Sequence, residues 1–190
     1  MRLILASASP RRRDLLARIG VTPAAVVPAD IDETPGRGEL PREYAKRMSA
    51  EKAAAVAPDH KGDLVLAADT VVAAGRRILP KAESEAEARR CLALLSGRRH
   101  RVFSAVVLVD GGGTARHRLS ETIVIFKRLT EADIAAYLVT GEWQGKAGGY
   151  AIQGRAEAWV RFLSGSHSGV VGLPLFETRA LLTSAGYDLG

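Results

Sequence analysis

Leu64-Val-Leu-Ala-Ala-Asp-Thr-Val-Val72 is the stretch whose reading decides the fold. A continuous apolar run of this length reads as a central strand in a sheet covered on both faces, and it predicts a strand over 63–74. A sheet of that kind needs helices on either side, so the run points to an α/β domain. Asp69 interrupts it. An unpartnered carboxylate inside such a strand would cost several kcal/mol, so Asp69 must be paired, protonated or bound to a metal. Thr70 beside it is either a β-branched strand former or a hydroxyl ligand.

The elements on either side of this strand alternate. Leu3-Ile-Leu-Ala6 reads as a strand that leads through Ser7 and Ser9 into a helix starting at Pro10. Ser9 suits an N-cap and Pro10 a first helical position, where its missing N–H has no partner anyway. Arg11, Arg12 and Arg13 then fall on the first turn of that helix. The macrodipole already makes that end positive, so three cations there imply an anion, and a phosphate fits such a site. Val21 to Val27 reads as a short strand. Ala29-Asp-Ile-Asp-Glu-Thr-Pro35 is an acidic loop in which Asp30, Asp32 and Glu33 offer oxygen ligands for a hard cation. Pro41 to Ala57 is a helix, closed by Pro58, with Lys46, Ser49, Lys52 and Ala53 on one face.

Beyond the central run, Arg77 to Lys81 returns after a turn at Gly75, and Ser84 caps a helix that runs to about Leu95. Arg101 to Val109 and Leu119 to Phe126 read as paired antiparallel strands around Gly111-Gly-Gly113. Thr130 caps a helix over 131–139. The segment from Gly141 to Gly154 is dense in glycine, which implies tight turns or close backbone approach, yet it lacks the order of a P-loop or a dinucleotide fingerprint. Ala156 to Leu163 reads as a further strand, Ser164 to Gly169 as a polar loop, and Pro174 opens a closing helix through Ser184. The expectation is one α/β domain over 1–190, built on a mixed sheet.

Composition narrows the function. The chain has 190 residues, 47% of them hydrophobic and 25% charged, with a formal net charge of +6. Basic charge favours an anionic partner, but only 5% of residues are aromatic, too few to interleave for base stacking. A small anionic substrate is therefore expected, and no nucleic acid. The one cysteine, Cys91, excludes a disulfide framework, and the four histidines have no metal-ligand spacing. No apolar run approaches the roughly 18 residues of a membrane span, and the N-terminal run is too short for a secretory signal. A cytoplasmic location without membrane contact is the expectation.

Several stretches together resemble the Maf family of nucleoside triphosphate pyrophosphatases. They are Ala6-Ser-Ala-Ser-Pro-Arg-Arg12, Asp32-Glu-Thr-Pro35, Glu51-Lys-Ala53, Ala68-Asp-Thr-Val-Val72 and Leu95-Ser-Gly97. Gly141-Glu142, Lys146-Ala-Gly-Gly-Tyr-Ala-Ile-Gln-Gly154 and Val170-Val-Gly-Leu-Pro-Leu175 complete them in family order. The resemblance implies cleavage between the α- and β-phosphates with a divalent cation, Mg²⁺ or Mn²⁺. It also implies a mixed sheet flanked by helices, in two lobes around a central cleft, and often a homodimer. It makes Asp69 the catalytic acid–base position and Arg11, Thr70 and Gln153 the positions that tune substrate choice. Ser9, Arg12, Lys52 and Lys81 become the phosphate-binding set, and in the mechanism expected here Asp69 and Glu33 are the metal ligands.

The segment ending in Gln153 is similar to the branch that acts on dTTP and UTP. A side-chain amide can pair with a pyrimidine's carbonyl and imide edge. The neighbouring alternatives are cleavage of 7-methyl-GTP and nucleotide binding without turnover in a cell-division regulator. Two stretches depart from the family pattern. Pro80-Lys81-Ala82 stands where Gly-Lys-Pro is usual, and His167-Ser168-Gly169 where an aromatic and Asn are common.

Overall fold

The computed structural model describes residues 1–189. Strands β1 (Leu3–Ala6), β2 (Ala25–Val26), β3 (Leu64–Ala74), β5 (Arg99–Val109), β6 (Ala115–Phe126) and β7 (Val160–Ser164) form one sheet in the order β2-β1-β3-β5-β6-β7. A short β4 (Arg77–Ile78) pairs back onto β3. The β1–β2 and β1–β3 pairs are parallel, and the other pairs are antiparallel. This is the expected mixed sheet, and its helices lie on both faces.

The predicted central strand is central, and its alternation sorts the core. Leu64, Leu66, Ala68 and Val72 point into the larger apolar cluster, shared with α1 (Pro10–Ala17), α3 (Glu85–Leu95), α4 (Glu131–Leu138) and α6 (Leu175–Ser184). Val65, Ala67, Val71 and Ala73 point to the opposite face, where α2 (Pro41–Val56) lies. Met48, Lys52 and Val56 share the sheet-facing stripe of α2, so the face carrying Lys52 is the buried one.

Helix boundaries follow the capping chemistry. Ser84 and Glu87 bond reciprocally at the start of α3, as do Thr130 and Asp133 at the start of α4. The first helix differs from expectation: Ser9 occupies the N-cap position but makes no side-chain capping bond. Its N–H instead donates to Ser7 Oγ at 3.1 Å.

Three elements differ from their sequence reading. Within Val21 to Val27 only Ala25–Val26 pairs as strand. The strand expected from Ala156 begins at Val160, after a 3-10 turn over Arg155–Trp159 that turns Ala156 and Trp159 into the core. Three residues apart, the two would point to opposite faces of a strand. The turn buries both, and Glu142 anchors it by accepting the Arg155 N–H at 2.8 Å. The polar loop closes into a short helix, α5 (His167–Val171), because Ser166 Oγ accepts the Gly169 N–H at 2.9 Å. Among the described residues no helix is long and apolar enough to cross a membrane.

Candidate active site

The cleft follows from strand lengths. β1 pairs with β3 only as far as Ala6 opposite Ala67, whereas β4 joins the same side of β3 at Ala73. Between these partners the β3 edge has no neighbouring strand among the described residues, and Asp69 and Thr70 lie in the gap. Ligands of α/β sheets bind in such crevices beyond the carboxyl ends of parallel strands. The cavity here measures about 350 Å³.

Asp69 and Thr70 are consecutive and therefore serve opposite sides of the sheet. On the α2 side, Lys52 Nζ lies 2.7 Å from Asp69 Oδ1 and 2.8 Å from Glu33 Oε1. Lys52 and Asp69 are only 6% and 5% exposed. The buried acid is thus paired, by a lysine one side-chain layer away on α2. Asp69 Oδ2 has no hydrogen-bond partner among the described residues. On the other side, Thr70 Oγ1 donates to the Gly172 carbonyl at 3.3 Å and accepts from Ser104 Oγ at 3.2 Å.

Glu33 is the member of the acidic loop that reaches the cleft. Its second carboxylate oxygen pairs with Lys81. Tyr44 OH fixes its backbone by donating to the Glu33 carbonyl at 2.7 Å. Burial pushes the Glu33 carboxyl upward, but the bonds from Lys52 and Lys81 outweigh burial and hold its pKa at about 2. Asp32 is turned to a different use, accepting the Thr34 N–H at 2.8 Å. Lys46 also leaves the site, pairing with Glu43 at the surface.

The arginines of α1 divide. Arg12 donates from Nε to the Gly172 carbonyl at 2.9 Å and from Nη1 to Ser7 Oγ at 3.0 Å. Arg11 Nε reaches the Val171 carbonyl at 3.3 Å. Burial lowers the pKa of both, and Asp69 pulls Arg12 back upward. Arg13 points out to solvent near Asp14.

The glycine-dense segment forms the remaining wall. Ala147 bridges to Lys81, Gly145 N–H donates to the Ala82 carbonyl at 2.8 Å, and Gly148 N–H donates to the Pro80 carbonyl at 3.0 Å. Gly148 has φ +70, and a Cβ there would sit 2.8 Å from Val72 Cγ1, so this glycine meets both reasons for glycine density. Tyr150, buried behind the wall, is bonded to His100 Nε2 at 2.9 Å. Gln153 lines the cleft with an exposed side chain.

The nine residues that the family resemblance and the expected mechanism single out, namely Ser9, Arg11, Arg12, Glu33, Lys52, Asp69, Thr70, Lys81 and Gln153, therefore line one cavity, whereas Asp30, Asp32 and Arg13 do not. Sequence reasoning passed over Ser7, the Val171–Gly172 carbonyls and Lys146. Lys146 had a signal: it is the single cation in the segment from Gly141 to Gly154. Carbonyl partners that come from a loop remote in sequence had none. The donor set also bears on a metal. Two carboxylates sharing one ammonium suit a Mg²⁺-type ion, which takes one or two carboxylates plus substrate phosphates. Among the described residues no group of three or more His, Cys, Asp or Glu side chains forms a ready-made cage. The residues fit a cation that arrives with a phosphorylated substrate.

A carboxylate-floored, cation-walled crevice at the ends of parallel strands defines an α/β protein with an anion-receiving cleft. Within that class the chain belongs to the Maf family, whose Maf-like protein model matches residues 2–185. It is similar to the dTTP/UTP pyrophosphatase of Novosphingobium aromaticivorans, with 65% identity over 98% of this chain and 93% of that protein. The dTTP/UTP pyrophosphatase of Rhodospirillum rubrum is 63% identical over 99% of this chain and 90% of its own length. Among solved structures, a HAM1 protein from Coxiella burnetii shares the fold, with TM-score 0.52 and 16% identity, covering 97% of this chain and all of that one.

Proposed function

We propose that this protein hydrolyses dTTP and UTP to the nucleoside monophosphate and pyrophosphate. The observation that carries the reading is Asp69 on the open edge of β3, ion-paired by Lys52 and facing a wall of cations. The similarity to the dTTP/UTP pyrophosphatases supports the choice of substrate. In the proposed reaction water attacks the α-phosphorus in line. The bond from the α-phosphorus to the bridging oxygen breaks, and pyrophosphate leaves with that oxygen. Such chemistry needs positioning and charge neutralisation more than covalent help.

Lys52 holds Asp69 Oδ1, so Oδ2 is the atom that takes the proton of the attacking water. Arg12, Lys52 and Lys81 neutralise the phosphates, with Ser9 alongside. Arg11, Thr70 and Gln153 tune substrate choice, Gln153 by pairing its amide with the base. Asp69 and Glu33 would hold a Mg²⁺ or Mn²⁺ ion, which when bound would supply charge neutralisation at the phosphate oxygens. A cytoplasmic location accords with such a substrate. The exposed side chains of Phe162 and Phe176 are consistent with a homodimer.

The test is a panel of nucleoside triphosphates with Mg²⁺ or Mn²⁺, scored for pyrophosphate against orthophosphate. Pyrophosphate from dTTP and UTP is the expected product. Orthophosphate as the direct product, or binding without turnover, would sink the reading, and preference for 7-methyl-GTP would move it to that neighbour. Asp69→Asn should lower kcat by at least about a hundredfold with an unchanged circular dichroism spectrum.

A further inference from the structure

The cations of the cleft fall into two groups. Lys52 and Lys81 are matched by Asp69 and Glu33, two acids for two bases. Among the described residues Arg11, Arg12 and Lys146 have no carboxylate partner within ion-pair distance and rest on neutral acceptors: Val171 and Gly172 carbonyls, Ser7 Oγ and the Gln144 carbonyl. The uncompensated positive charge of the site therefore resides in these three side chains. Two of them belong to α1. Lys146 lines the same cavity from a separate element, the glycine-dense segment.

The backbone beneath Lys146 is held on every side. Its N–H donates to the Trp143 carbonyl at 3.0 Å, and its own carbonyl accepts from Ala82 and Gly149, each at 3.0 Å. Gly145, Gly148 and Gly149 make this tight path possible, all with φ between 64 and 71. The Lys146 side chain is half-buried and lines the cleft. Its ammonium bonds one carbonyl, Gln144 O at 3.0 Å. Burial lowers its pKa, the charge of Arg11 lowers it further, and Glu142 opposes them. Two cations on separate walls that repel each other across a cavity are stabilised when an anion sits between them.

We infer that Lys146 and Arg11 together seat the terminal two phosphates of the substrate, so that Lys146 is a binding residue for the pyrophosphate leaving group. This rests on the proposed function and adds to it a third uncompensated cation, supplied from outside the arginine turn. A lysine suits the task because its ammonium swings on a flexible stem above a rigid backbone. Gln153, on the same segment, remains the base-facing group.

The experiment uses inorganic pyrophosphate and dTMP as separate probes. Each is titrated calorimetrically, and as a product inhibitor, into the wild-type protein, Lys146→Gln and Lys146→Arg. Lys146→Gln should weaken pyrophosphate about tenfold, leave dTMP within twofold, and raise KM for dTTP more than it lowers kcat. Lys146→Arg should restore most of the pyrophosphate affinity. Pyrophosphate binding at wild-type strength in Lys146→Gln would overturn the inference, and so would an equal loss for dTMP, which would make Lys146 a reader of the nucleoside. If the wild-type protein failed to release pyrophosphate from dTTP, the functional reading would fall. The pyrophosphate titration would still decide the role of Lys146.

Discussion

His100 shows how a single residue far from the chemistry bears on the site. It is 1% exposed on β5, packed edge-on against Phe126 and Tyr150, with Nε2 at the Tyr150 hydroxyl. Burial pushes its pKa down from 6.5 to about 4, with the Arg98 backbone opposing. A histidine depressed in the folded state favours folding while neutral. That contribution is complete above pH 6.5 and is lost as pH falls through about 4. The wild-type protein should therefore lose stability across that window by more than His100→Gln does. Urea midpoints of both proteins from pH 7 downward measure the difference, and parallel curves would refute it. Tyr150 backs the wall that carries Lys146 and Gln153, so this pair also sets how firmly that wall stands.

At the scale of elements, the segment that bears those two residues depends on glycine. Gly148 needs a left-handed conformation, and the space its Cβ would take belongs to Val72 of β3. Gly148→Ala should cost roughly 3 kcal/mol, from the left-handed strain and the clash together. Thermal melting reads this directly. The same variant should also weaken nucleotide binding, because Lys81 is bridged to the adjacent Ala147. Capping behaves differently. Ser84 and Thr130 were legible as caps because each is followed at the third position by an acid that closes the box. Ser9 lacked such a residue and does not cap. The turn at Arg155–Trp159 was not legible, because an apolar residue pulled into a core by a turn looks locally like one placed there by a strand.

On the scale of the molecule, β3 pairs with β5 along almost its whole length, and one sheet joins every strand. The larger core cluster runs from Leu3 to Leu182. This is the physical basis for the proposal that residues 1–190 act as one domain. Equilibrium unfolding in urea should then give a single transition, with fluorescence and circular dichroism coinciding. Separate midpoints would divide the chain. The sequence alone determined most of the strands and helices, that β3 is buried on both faces, and that Asp69 within it needs a partner. Those properties follow from local periodicity and from the cost of burying charge. Only the tertiary structure decided that the partner is Lys52. Tyr44, Met48 and Val56 put Lys52 on the apolar stripe of α2, but which part of the sheet that stripe meets is set by tertiary packing. The structure alone also set the length of the open β3 edge, which depends on where two other strands stop, and it brought Lys146 and Arg11 to one cavity.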